Sequence, residues 1–202
     1  MTRRAISVYM AATCAMVIVA PGRFVCGIVF AVEICLLMLL GILFKALIKK
    51  ISLRHLSQVL MLCFVVYFTL LYRQLLALFM PEVALQLEFL LFLPAISTFT
   101  TVFLLDRTEH TLKDALLNDA PSTLLFAGYI LAFSLIRDVF GYGTLSLPYY
   151  GDPLEIVLFN PEGVSVLSFL ATIPGAMILT SLLLSLYLYF EKKYHILIKA
   201  GA

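Results

Sequence analysis

The chain has 202 residues, 63% of them hydrophobic and 13% charged, with a mean hydropathy of +1.07 and a formal net charge of +2. Ordinary soluble domains are about half apolar and about a quarter charged, so this composition excludes a soluble fold. It also lacks the basic, aromatic surface of a nucleic-acid binder, and its hydrophobicity runs from end to end, so residues 1–202 read as a single membrane domain.

A hydrocarbon core of about 30 Å takes about 20 apolar residues in a helix, and six stretches meet or approach that length. The first, Ala5 to Ala20, is short and follows Thr2-Arg3-Arg4. Because Pro21-Gly22-Arg23 leads straight into a longer apolar run, the segment reads as a retained span rather than a cleaved signal. The second runs from Phe24 to Ile48 and the third from Leu56 to Met80. The fourth, Leu85 to Leu105, contains Pro94. The fifth is Ser122 to Phe140, and the sixth is Val164 to Phe190, with Pro174-Gly175 inside it.

Cytoplasmic loops retain positive charge, and the Lys and Arg residues sort sharply. Arg3, Arg4, Lys45, Lys49, Lys50, Arg54, Arg107, Lys113, Lys192, Lys193 and Lys199 fall on one side, against Arg23, Arg73 and Arg137 on the other. Both termini are therefore expected in the cytoplasm, with an acidic loop carrying Asp138, Asp152, Glu155 and Glu162 outside.

The first and fourth spans are irregular, and each opens one half of a three-plus-three arrangement, about 5–80 and 85–190. Three spans per half reverse the orientation of the second half. That is the arithmetic of an inverted repeat, whose working site lies near the midplane where broken helices meet. The expected fold is thus all-α and integral to the membrane, with six transmembrane helices.

Glu33 lies nine residues beyond Phe24, about 14 Å along the helix at about 1.5 Å per residue. An ionisable group at that depth is a functional candidate, here for an ion pathway, with a hydrogen-bonded neutral acid as the structural alternative. Arg73 and Arg137 sit near span ends, where long side chains can snorkel to the interface. Cys14, Cys26, Cys35 and Cys63 form no CxxC pair, which argues against a disulfide framework. No hydrolase, nucleotide-binding or zinc motif occurs, and His55, His110 and His195 fall in loops or tail. A self-contained active site is not expected.

Three blocks resemble a known family. Phe89 to Ile96, followed by Leu105-Asp106-Arg107-Thr108-Glu109, is similar to the fourth-span signature of the Rnf E-subunit and Nqr D-subunit family: an apolar run, Pro-Leu-Ile, a turn with Asn-Cys, then Gly-Arg-Ala-Glu. Ile136-Arg137-Asp138-Val139-Phe140-Gly141-Tyr142-Gly143-Thr144-Leu145 resembles that family's Met-Arg-Glu-Ile-Ile-Gly-Asn-Gly-Thr-Leu. Leu170 to Ala176 resembles its Leu-Pro-Pro-Gly-Ala.

The resemblance implies a subunit of an ion-translocating electron-transport complex in the bacterial cytoplasmic membrane. Such a complex is a translocase-type oxidoreductase working between ferredoxin or a quinone and the nicotinamide pool, coupled to Na+ or H+ movement. It implies a homologous six-span partner of opposite topology and further complex subunits. It also implies a 2Fe-2S cluster shared with that partner, with Cys14 as this chain's ligand. Here Ala12-Thr13-Cys14-Ala15 replaces the family's Gly-Leu-Cys-Pro, and Thr100 stands where the family has its second cysteine. Two readings follow, an altered cluster or none. The residues alone leave two other functions open: a small inverted-repeat secondary transporter, or a structural subunit lacking a redox centre.

Overall fold

The computed structural model describes residues 17–51, 56–96, 112–149, 151, 153–158 and 168–200. They are mostly helical, and three helices are long and apolar enough to cross a membrane. After helical residues 17–19 come α1 (Phe24–Lys50), α2 (Ser57–Phe79), α3 (Pro81–Gln86), α4 (Phe92–Ile96) and α5 (Leu112–Arg137). A π-helical turn (Asp138–Tyr142) leads into strands β1 (Thr144–Leu147) and β2 (Leu154–Val157), and a 3-10 turn (Ser168–Ala171) precedes α6 (Ile173–Ala200).

The helices begin and end where local chemistry demands it. Met80 precedes a proline, which disfavours helical backbone there, and it sits at φ −142°, ψ 77°. Pro81 then occupies the first turn of α3 with Glu82 beside it, where a missing N–H costs nothing and a negative charge suits the helix dipole. Thr172 caps α6: its Oγ1 accepts from Gly175 N at 3.4 Å and donates to Phe169 O at 2.6 Å.

The central element is α1, which packs against α5, α2, α4 and β1. Its Val29, Phe30, Ile34, Leu37 and Met38 meet Met61, Val65 and Phe68 of α2 and Phe126, Ile130 and Phe133 of α5 in one buried cluster. The inward residues of α5, namely Thr123, Phe126, Ala127, Ile130, Phe133, Ser134 and Arg137, recur every three or four positions, as one face of a helix must. Opposite faces leave Leu62, Leu78, Leu124 and Leu182 exposed, as lipid-facing helices would.

The structure differs from the sequence expectations in several places. The fifth helix starts at Leu112 rather than Ser122 and runs on through Pro121; the imino ring removes one backbone donor but does not end the helix. The fourth apolar stretch opens as two short helices around a turn at 87–91, and Pro94 lies inside the second, so among the described residues the break falls before the proline and not at it. The sixth helix begins at Ile173, because the 3-10 turn and the Thr172 cap set its start. An all-α chain was expected, yet β1 and β2 form an antiparallel hairpin with Thr144 opposite Val157 and Leu147 opposite Leu154. The hairpin is tied down by Leu158 N donating to Gly143 O and by Gly151 N donating to Phe79 O. Most of the first span, and the part of the fourth from Ser97 onward, lie outside the described residues.

Candidate functional site

Helix ends leave N–H groups unpaired at one terminus and carbonyls unpaired at the other. The chain makes such a pair of ends at Pro21-Gly22-Arg23, where residues 17–19 stop and α1 begins. α1 has no acidic residue in its first turn, and Arg23 provides no side-chain cap. Two consecutive residues at the end of α5 supply what is missing.

Asp138 is 0% exposed. Its Oδ2 accepts from Phe24 N at 3.1 Å, from Ser146 N at 2.7 Å and from Ser146 Oγ at 2.7 Å, and its Oδ1 accepts from Thr144 Oγ1 at 3.2 Å. Ser146 Oγ in turn accepts from Val25 N at 3.3 Å. The first amides of α1 are thus capped from β1 and the π turn, with the carboxylate at the positive end of the helix dipole.

Arg137 is 2% exposed and serves the opposite pole. Nη1 donates to Val17 O at 3.1 Å and Ala20 O at 2.8 Å, Nη2 donates to Ala171 O at 2.9 Å, and Nε donates to Leu170 O at 3.4 Å. The guanidinium also lies 5.7 Å from the Phe133 ring centroid. One cation therefore binds the last carbonyls before Pro21 and those of the turn preceding α6. A rigid fork of five donors suits this task, which a lysine could not perform.

Close backbone approach requires glycine on both sides. A Cβ at Gly141 would lie 2.9 Å from Ala171 N, and one at Gly22 would lie 3.3 Å from the Tyr142 ring. Gly143 takes φ 69°, the left-handed conformation that lets the chain leave the π turn for β1. Arg23 closes the rim by pairing with Glu155 and lying 5.7 Å over the Tyr142 ring.

The expected snorkelling role of Arg137 is therefore corrected: its side chain turns inward, because unpaired carbonyls there need donors. Arg73 is half-buried and pairs with Glu88 at 2.5 Å.

Glu33 is 0% exposed, and neither carboxyl oxygen has a hydrogen-bond partner among the described residues. Tyr72 of α2 lies within electrostatic reach of it, and the Tyr72 hydroxyl donates to Val29 O at 2.9 Å, one turn away along α1. Cys14 and Thr100, the positions on which a cluster would turn, lie outside the described residues. Cys26 is buried, Cys35 half-buried and Cys63 exposed. Among the described residues no three His, Cys, Asp or Glu side chains gather as metal ligands.

Sequence reasoning named Glu33 but missed Ser146 and Thr144 as partners of Asp138. The one available signal was the Arg-Asp pair followed, after Val139 and Phe140, by Gly-Tyr-Gly-Thr at a span end. Comparison of the chain with family models, with curated proteins and with solved structures gives no match.

Proposed function

We propose that this chain is a membrane subunit of an ion-translocating electron-transport complex of the Rnf or Nqr type. One observation carries the reading. Two of the blocks that resemble the family, 136–145 and 170–176, meet in space through Arg137 and the carbonyls of Leu170 and Ala171, with Gly141 packed on Ala171. Residues matched by resemblance thus supply Arg137, Asp138, Gly141 and Thr144 to the chain's buried polar junction. In this reading the chain has six spans arranged as a three-plus-three inverted repeat with both termini cytoplasmic. It pairs with a homologous subunit of opposite topology.

The contribution of this chain's own residues is architectural. Arg137 and Asp138 fix the turn between the first and second spans by pairing the carbonyls and amides that the helix ends leave unpaired. A 2Fe-2S cluster shared with the partner, with Cys14 as ligand, belongs to the same proposal; Cys14→Ser in the intact complex should abolish its paramagnetic signal.

The test is to purify the tagged chain from its native membrane in mild detergent. Flavin- and iron-containing subunits and a homologous membrane chain should co-purify in fixed ratio. A solitary, stable chain without redox cofactors would refute the proposal. The unpartnered Glu33 favours a second reading, a small secondary transporter, which predicts solute uptake by the chain alone in liposomes.

A further inference from the structure

We propose that Glu33 is a proton-binding site inside the membrane, carried as the neutral acid, and that its occupant is a proton rather than a metal cation. The site is defined by position. Hydrogen bonding of Phe24 N to Asp138 and contact of Gly27 with the Ser134 side chain run α1 antiparallel to α5, and the Tyr72–Val29 bond together with the Phe44–Phe64 ring stack runs it antiparallel to α2. Glu33, one turn beyond Val29, therefore faces α2 near Tyr72, which lies within electrostatic reach of its carboxyl.

Two hydroxyls lie along this stretch of α2, and both have committed their hydrogens: Thr69 Oγ1 donates to Val65 O at 2.9 Å, and Tyr72 Oη donates to Val29 O at 2.9 Å. Neither therefore has a hydrogen to give a carboxylate, which needs donors, and neither Glu33 oxygen has a hydrogen-bond partner among the described residues.

Nearby cations are engaged elsewhere. Arg73 pairs with Glu88, Arg23 pairs with Glu155, and Arg137 holds four carbonyls at the junction. Among the described side chains, Tyr72 is the titratable group of α2 that faces Glu33. α4 has none, and α5 contributes Tyr129 before the junction pair Arg137 and Asp138. An ionised carboxylate with no counter-charge in an apolar interior costs enough that the group neutralises instead. A hard metal cation would require about six oxygen ligands, whereas among the described residues neither Glu33 oxygen has a polar partner and no group of three His, Cys, Asp or Glu side chains gathers.

The inference stands apart from the electron-transport proposal, since it is read in membranes without electron donor or acceptor. Native membrane vesicles containing the full chain are treated with dicyclohexylcarbodiimide, which attacks buried protonated carboxyls, and the chain is mapped by mass spectrometry. Glu33 should be modified, more slowly as pH rises, and sodium or lithium chloride should give no protection. A protonated-carboxyl band in the infrared spectrum should shift in D2O and vanish in Glu33→Gln. That variant should fold and melt like the wild type, because a neutral amide replaces a neutral acid. Protection by sodium or lithium would make the site a metal site and overturn the proposal. Absence of both labelling and the carboxyl band, or unfolding of Glu33→Gln, would show a carboxylate that needs its charge and would equally overturn it.

Discussion

Replacing Asp138 by alanine tests whether the junction holds the structure together. The side chain accepts from two backbone amides that cannot turn away, Phe24 N and Ser146 N, and from two hydroxyls that can find other acceptors by rotation. Only the amides are counted. Leaving a buried donor unsatisfied costs about 1–3 kcal/mol, so Asp138→Ala should lose about 2–6 kcal/mol. Asp138→Asn keeps one oxygen as acceptor while losing the charge. Charge-assisted hydrogen bonds are roughly twice as strong as neutral ones, so it should retain about half of the effect. The assay is thermal unfolding in mild detergent, read alongside proteolysis of the β1–β2 hairpin, which should be cut faster in Asp138→Ala. An alanine variant that melts and resists protease like the wild type would refute the reasoning, since two orphaned amides could not then be buried there.

Three further outcomes are expected. A cysteine introduced at Lys49 should react only from the cytoplasmic side and one at Tyr149 only from outside; reversal at both would overturn the orientation. Gly141→Ala should destabilise strongly, because its Cβ would come within 2.9 Å of Ala171 N and neither backbone can yield without breaking the Arg137 contacts; an unchanged melting temperature would count against the close approach. Arg73→Ala should change stability by less than about 1 kcal/mol, because its pair with Glu88 is exposed and such pairs contribute little; a large loss in the same melting assay would mean that the pair is buried by something else.

α1 and α2, the expected second and third spans, were legible because apolar runs of membrane-spanning length, bounded by Arg23, by Lys49-Lys50 and by Pro81, leave little choice of boundary. Glu33 was legible for the same reason: a carboxylate stands out against leucine and valine. The start of α5 was not, since Pro121 reads as a helix boundary although a helix can run through it. The hairpin was not legible either. Its β2 is exposed throughout, so no alternation marked it, and what fixes it in place is Ser146 bound to Asp138 and Gly151 bound to Phe79. Arg137 was misread because sequence position gives depth but not direction. A guanidinium near a span end can reach water or turn to unpaired carbonyls, and only the meeting of 17–20 with 170–171 decides between them.

The central claim is most directly tested in inverted membrane vesicles from the source cell, comparing wild type, a clean deletion of this chain, and the deletion complemented in trans. Electron transfer between ferredoxin or quinone and the nicotinamide pool, together with the ion uptake it drives, should be lost in the deletion and restored by the complementing chain. Retention of both activities in the deletion would contradict a role in such a complex.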